Sequence, residues 1–274
     1  KSVKPAQQDV FAAFGHQLTA LSGFNQISGW PDREPGWLGP YTDVIAPRYN
    51  IIAILAALDY RRRTGKGQFL DMAQNEGGMQ FLAPVILDYT ANDQVAGREG
   101  NHSSYAAPHN AYRCQGEDIW CAISVFSDEE WLSFCRVIGN PGLAEDLRFA
   151  NLQLRKENED ELDRLVNDWT ENHTAEEVMK MMQAAGVAAG AAEICEVEMD
   201  NNPQLKERNF LLEFEHPDIG KYRTPNGAHF LLSKSTWQPR RAPTVGEHND
   251  YVFREIVGLS DDEMNELINE GVIN

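Results

Sequence analysis

The run "YTDVIAPRYNIIAILAALDYRRRTGKGQ", Tyr41–Gln68, decides how the rest of the chain is read. Its middle, "NIIAILAAL", is apolar on nearly every helical face, so a helix here has to be covered on all sides rather than along one stripe. Arg61, Arg62 and Arg63 follow where the last turn would fall, and positive charge suits the negative end of a helix dipole. Gly65 and Gly67 then stop it. The spacing predicts a helix from Arg48 to Arg63. Just before it stands Asp43, between the turn signals Gly39-Pro40 and Pro47. An aspartate a few residues ahead of a long helix is ordinarily an N-cap. Pro47 favours the first helical turn, which puts the cap nearer Ala46 and leaves the Asp43 carboxylate one turn outside, facing a cleft. Local sequence alone leaves capping and chemistry both open.

Upstream, Val10 to Leu21 has helical spacing and ends at Ser22-Gly23, and the Gly/Pro-rich "FNQISGWPDREPGWLGPYTD" reads as loop. Downstream, Gln68 to Met72 alternates like a short strand before a further helix. A long polar loop, "TANDQVAGREGNHSSYAAPHN", precedes two strands, "AYRCQ" and "IWCAISV", around Gly116-Glu117-Asp118. Ser127 with Glu130, and Ser260 with Glu263, have capping-box spacing. Three helices cover 151–186, the segment from Phe210 to Leu232 alternates as strands broken at "HPDIG" and "TPNG", and "GEHND" reads as a turn with a helix start. The chain is of the α/β class.

Composition narrows the function. A length of 274 residues with 42% apolar content allows one large or two modest domains. The formal charge of −18 argues against a nucleic-acid or anionic-membrane partner, both of which are bound through basic surface. Cys114, Cys121, Cys135 and Cys195 lack CxxC spacing and read as buried free thiols in a reducing compartment, with no metal site. No apolar run reaches the ~18 residues of a membrane span and "KSVKPAQQDV" has no signal-peptide core, so the reading is cytoplasmic. GxSxG, HExxH, Walker and GxGxxG patterns are absent. His16 by itself is more often a core or surface histidine than a catalyst. The segment "GREGNHSSYAAPHN", with Asn101, His102 and Ser103, has the length and small polar residues of an active-site lid or of a solvated interdomain loop.

The Tyr41–Glu76 run resembles the central signature of the class III acyl-CoA transferases, the formyl-CoA and carnitine CoA-transferase type. The likeness extends in order through "FGHQLTALSGFNQISGWPD", "REGNHSSYAAPHNAYRC", "AAGVAAGAAEICEVEMDNNPQLKERNF", "HPDIGKYRTPN" and "RRAPTVGEHNDYVFREIVGLSDDEM". The resemblance implies that Asp43, at the family's spacing before "AILAAL", is a catalytic nucleophile. It would take the acyl group from an acyl-CoA as a mixed anhydride, then hold CoA as an aspartyl thioester that an acceptor acid reverses. The substrates would be a CoA thioester and a small carboxylic acid, with no tightly bound cofactor. His16, Asn101, His102 and Ser103 would line the substrate site.

"NHSSYAAPHN" stands where formyl-CoA transferase has a glycine-rich flap, which argues against formyl or oxalate specificity. Two alternatives stay open: an α-methylacyl-CoA racemase pairing His16 with Asp43, although "GHQLTALSG" is two residues short of the racemase spacing, and a non-catalytic or partner-dependent subunit. The implied architecture is a Rossmann-like large domain (1–97 and 210–274) with a smaller α/β domain (98–209) inserted. Family members form interlocked dimers, so a homodimer or a pairing with a related chain is expected. The family's usual N-terminal part, with much of its CoA-binding surface, has no counterpart in the 274 residues, and the strands completing the large domain are expected from preceding residues or a second chain. Arg61 to Arg63, Lys66, Arg240 and Arg241 are the candidates for CoA's phosphates.

Overall fold

The arginine-tipped helix is longer than its apolar middle requires. In the computed structural model, which describes residues 14–192, 200–227, 230–235 and 237–273, it runs Tyr41–Thr64 (α3) and ends on Gly65, whose left-handed φ of 73° lets its N–H reach the Arg61 carbonyl at 2.8 Å. The helix therefore begins seven residues before Arg48. Asp43 lies in its first turn and not outside it, and Pro47 is inside the helix. An internal proline is tolerated here because the turn it weakens is packed on its Thr42–Ala46 side: Thr42, Ile45 and Ala46 are all buried.

Two compact units divide the chain, 1–192 and 193–274. In the first, α1 (Gly15–Leu21) and α2 (Phe24–Ile27) precede α3, and α4 (Gln74–Met79) and α5 (Ala83–Asn92) follow it. The stretch read as loop thus contains α2 and the opening turn of α3. Of the helix expected over Val10–Leu21, positions 10–13 fall outside the described residues. Gln68–Met72 forms no strand; its alternation has no neighbouring strand to pair with among the described residues, and residues 14–97 contribute helices only. Phe24, Ile45 and Leu82, with Ile27 against them, make a small core for this helical layer.

A larger core sits beyond it. β1 (His109–Arg113), β2 (Trp120–Ser124) and β3 (Ala188–Ala192) form an antiparallel sheet in that order. Helices α6 (Asp128–Val137), α7 (Leu152–Glu157), α8 (Glu159–Thr170) and α9 (Ala175–Ala184) complete the layer. Tyr112, Ile123, Trp131, Phe134, Phe149 and Leu162 are almost fully buried between sheet and helices. The Ser127–Glu130 capping box is present, and Thr174–Glu177 makes another that starts α9. Arg155 is buried: it donates to the Ala107 and Phe149 carbonyls at 3.0 and 3.3 Å and to Asp128 at 3.0 Å, and its guanidinium lies over Trp131. Because Asp128 is mostly exposed, the two carbonyls do most of the work of solvating that buried charge. Cys114, Cys121 and Cys135 are free and buried, and burial pushes the Cys121 and Cys135 thiols up to about 12. Cys195 lies outside the described residues.

The second unit holds a two-stranded antiparallel hairpin, β4 (Leu211–His216) with β5 (Gly220–Pro225), a π-helix at Asp250–Ile256, and a helix at Asp261–Asn269 opened by the Ser260–Glu263 capping box. The strand pattern expected to reach Leu232 ends at Pro225; residues 230–235 pair with no strand. An ion pair between Arg241 and Glu247 (2.6 Å), with the Thr244 N–H, holds the Glu247 carboxyl down at about 2.

Among the described residues the apolar middle of α3 has no cover: Ile51, Ile52, Ile54, Leu55 and Leu58 are all exposed, Ile52 to 63%. Burying a side chain of this kind is worth about 1.5–3 kcal/mol, so on the order of 10 kcal/mol of favourable burial is unrealised. The 274-residue chain by itself is therefore expected to self-associate and to bind a hydrophobic dye. Sedimentation as one monomer without dye binding would show that this face needs no cover.

Candidate active site

Two buried threonines organise the start of α3. Thr19 Oγ1 donates to the Gly15 carbonyl at 2.7 Å and accepts the Thr42 N–H at 3.2 Å, while Thr42 Oγ1 donates to the same carbonyl at 3.3 Å. The Thr42 N–H is one of the unpaired donors that every helix start leaves over. Here a side chain from α1 satisfies it, because the N-cap position is Pro40, which has no side-chain oxygen. Capping of α3 thus falls to Thr19 and not to Asp43.

Pro40 has a second effect. A carboxylate at the third helical position ordinarily reaches back to the N-cap N–H, and proline has none. Pro47 likewise has no N–H to give the Asp43 carbonyl four residues earlier. The Asp43 side chain instead accepts a hydrogen bond from Gln74 Nε2 and lies directly against Gly15. Its place in the first turn sets it at the positive end of the helix dipole. The residue is exposed; Oδ1 is held by Gln74, and Oδ2 accepts no hydrogen bond among the described residues.

Gln74 opens α4, and its amide nitrogen also donates to Thr42 Oγ1 at 3.1 Å. A carboxylate only accepts, so the nitrogen and not the oxygen of the amide must face Asp43. The close approach of α4 depends on Gly78: a β-carbon there would stand 2.8 Å from Thr42 Cγ2 and 3.2 Å from Ser22 Oγ. Gln74, Thr19 and Thr42 were not among the site residues that the sequence pointed to. The signal available for Gln74 is the Gly77-Gly78 pair after it, which marks a tight helix contact.

His16 follows Gly15 and is exposed, its ring 5.2 Å from that of Trp37 and tilted by 44°. Among the described residues it makes no hydrogen bond to Asp43. Asn101, His102 and Ser103 are held on the other core. Asn101 Nδ2 donates to Asn110 Oδ1 at 3.1 Å, and its carbonyl meets His109 Nδ1 at 2.6 Å. His102 lies between Asp163 at 2.9 Å and Glu159 at 3.3 Å, and Ser103 is buried with its hydroxyl turned to the Tyr105 N–H. Asp163 also accepts from Asn110 at 2.7 Å and from the Tyr112 hydroxyl at 2.6 Å, and burial, with that carboxylate second, raises the Tyr112 pKa. Asn101 and His102 line a cavity of about 400 Å³ with His109, Asn110 and Ser124. The loop is tied to the helical layer through Gly100, whose N–H donates to the Gly29 carbonyl at 2.9 Å, and through Arg98, which donates to the Trp30 and Gln26 carbonyls.

Of the candidate phosphate contacts, Arg62 and Arg63 pair with Asp59, and Arg241 with Glu247. Among the described residues no group of three or more His, Cys, Asp or Glu is placed to hold a metal ion, and no helix is long and apolar enough to cross a membrane.

The mixed helix-and-sheet fold is that of an α/β protein. A CaiB/BaiF family protein from Brucella suis superposes with a TM-score of 0.79 at 25% identity, over 92% of this chain and 65% of that one. The CoA-transferase family III profile matches residues 4–249, and the chain belongs to that family. It is 32% identical over 254 residues to a succinyl-CoA–D-citramalate CoA-transferase of Chloroflexus aurantiacus, covering 92% of this chain and 63% of the relative. It is 27% identical over 268 residues to the beta subunit of a succinyl-CoA–L-malate CoA-transferase from the same organism, covering 96% of this chain and 65% of the subunit. The chain thus spans just under two thirds of the length of these relatives.

The seat of Asp43 is testable without an assay of activity. Gly15→Ala would drive a methyl group into the carboxylate. It is expected to lower stability by about 1–3 kcal/mol, as overpacking does. Gly97→Ala, with open space around the new methyl, is the control and should melt near the parent. Equal melting temperatures for the two variants would mean that Asp43 is not seated on Gly15.

Proposed function

We propose that this chain carries the catalytic carboxylate of a CoA-transferase, with Asp43 as the nucleophile that takes first the acyl group and then CoA. The observation that carries the reading is the state of Asp43 in a family III chain: it sits at a helix start yet caps nothing, is exposed, and is held through one oxygen by one amide donor. A carboxylate nucleophile keeps the free energy of the thioester in a covalent bond, where hydrolysis would release it. The first donor to try is succinyl-CoA, because relatives named for succinyl-CoA chemistry match along most of this chain. No bound cofactor is required, and the setting is cytoplasmic.

His16 and Trp37, beside Gly15, form a wall of the acyl site in this reading. Asn101 and His102 close the site over the reacting atoms, and Ser103 shapes the turn behind them. The racemase alternative needs His16 to share a proton pathway with Asp43; among the described residues no hydrogen bond joins the two, and the His16 ring lies beside Trp37. The exposed apolar face of α3 is covered by residues of a partner, either an identical chain in an interlocked dimer or a related chain. The second option draws support from the relative that is itself one subunit of a two-subunit enzyme. The domain assignment of 1–97 with 210–274 around 98–209 belongs to the same proposal.

Asp43→Ala and Asp43→Asn are expected to reduce CoA transfer at least 10³-fold with folding retained, because neither supplies an anionic nucleophile. Intact mass after incubation with succinyl-CoA should show a CoA adduct on Asp43 in the parent and none in the variants. Transfer by deamidation-free Asp43→Asn at more than a small residue of the parent rate rules the nucleophile out.

The double variant Asn101→Ala, His102→Ala should raise the ratio of acyl-CoA hydrolysis to transfer, since an anhydride exposed to water is lost. An unchanged ratio would remove the loop from the site.

A further inference from the structure

Resting on the aspartyl-CoA reading above, we propose that Gln74 is a further catalytic residue, its amide N–H serving as the oxyanion donor when the carboxyl carbon of Asp43 itself is attacked. Gln74 Nε2 donates to Asp43 Oδ1, and Oδ2 accepts no hydrogen bond among the described residues, so Oδ2 is the oxygen left to attack an acyl thioester. The product is a mixed anhydride bridged through Oδ2, with Oδ1 as its carbonyl oxygen on the aspartyl side.

In the next step the CoA thiolate adds to Cγ of Asp43, and the carbonyl electron pair moves onto Oδ1. Collapse re-forms that carbonyl and breaks the bond between Cγ and the bridging oxygen. The donor acid leaves as a carboxylate, taking the bridging oxygen with it. One anion enters and one leaves, so no proton is moved. The charge in transit is on Oδ1, the atom that Gln74 faces. The acceptor carboxylate meets the same requirement when it attacks the aspartyl thioester.

A donor aimed at developing charge lowers the barrier because it interacts more strongly with the localised oxyanion than with the resting group. It also has to be in place beforehand. The second bond of Nε2, at 3.1 Å to Thr42 Oγ1, fixes the amide, and Thr42 is itself buried and bonded to the Gly15 carbonyl. When Asp43 attacks the acyl-CoA, by contrast, the oxyanion forms on the substrate's oxygen, away from Gln74. The role therefore separates the two covalent steps.

The test uses the complete protein, succinyl-CoA without acceptor, and the variants Gln74→Met and Gln74→Glu, which keep the side-chain length but lose the donor. Rapid-quench mass spectrometry follows the CoA adduct while chromatography follows consumption of succinyl-CoA. The expected result is an adduct that forms about 10²–10³-fold more slowly, as when an oxyanion donor is removed, with consumption slowed less than threefold and ending in hydrolysis. Adduct formation at the parent rate, or an equal loss in both steps, overturns the assignment.

A measurement on the unaltered protein stands apart from whether the variants fold. The infrared carbonyl band of the aspartyl-CoA adduct, isotope-edited with ¹³C-aspartate, should lie below that of a free thioester, and an unshifted band overturns the donor role. Asp43→Ala separates the two levels. If it still transfers CoA, or the parent forms no adduct, the nucleophile reading fails and this inference with it. If it is inactive while both Gln74 variants keep the parent's kinetics, only the oxyanion donor is lost.

Discussion

The hydrogen bonds that two buried threonine hydroxyls direct to the Gly15 carbonyl hold the rest of the arrangement in register. Thr19 and Thr42 lie on different helices, and sharing one acceptor fixes α1 against the first turn of α3 with little freedom to slide. Both hydroxyls are buried, so losing one partner would leave a polar group unsatisfied at about 1–3 kcal/mol. Once the two helices are set, Gly15 falls under Asp43, and α4 can approach because Gly78 has no side chain to keep it away. Each later feature, from the carboxylate's exposure to its contact with Gln74, follows from that packing.

Two prolines then decide what Asp43 is free to do. With an ordinary residue at position 40, an aspartate at the third helical position would be drawn into a reciprocal cap. Pro40 removes the donor for that bond and Pro47 removes the donor to the Asp43 carbonyl. The helix gives up local bonds at the place where Asp43 sits, and the buried flank of Thr42, Ile45 and Ala46 compensates through packing. Weak local backbone bonding with strong tertiary support is a recurrent pattern at functional sites.

Much of this was legible from the residues. The basic last turn and Gly65 announced the end of α3, the serine-to-glutamate spacings announced two helix starts, and "AYRCQ" and "IWCAISV" found their strands. The sequence puts the start of α3 too late, because Pro47 ordinarily prefers a first turn, and burial of the preceding turn overrides that preference. Gln68–Met72 alternates without pairing, since period-two patterning records which faces differ and says nothing of whether a neighbouring strand exists. Asp43 stood out through the order of motifs around it. Gln74 and Thr19 did not, because an amide or a hydroxyl acquires meaning only when folding brings it to a partner 31 or 23 residues away.

The two cores of the first unit are very unequal. One, between the three-stranded sheet and its helices, is a continuous cluster from Ala107 to Val187; the other consists of Phe24, Ile45 and Leu82 with Ile27 against them. Asp43 belongs to the poorer one. A layer with so little interior is the part of the unit expected to open first. If the cover is a second chain, as proposed, ordering of the layer that carries the proposed nucleophile becomes a bimolecular event, and the fraction of competent sites rises with protein concentration even at saturating substrate. Dilution would then weaken the proposed chemistry before it unfolded the sheet.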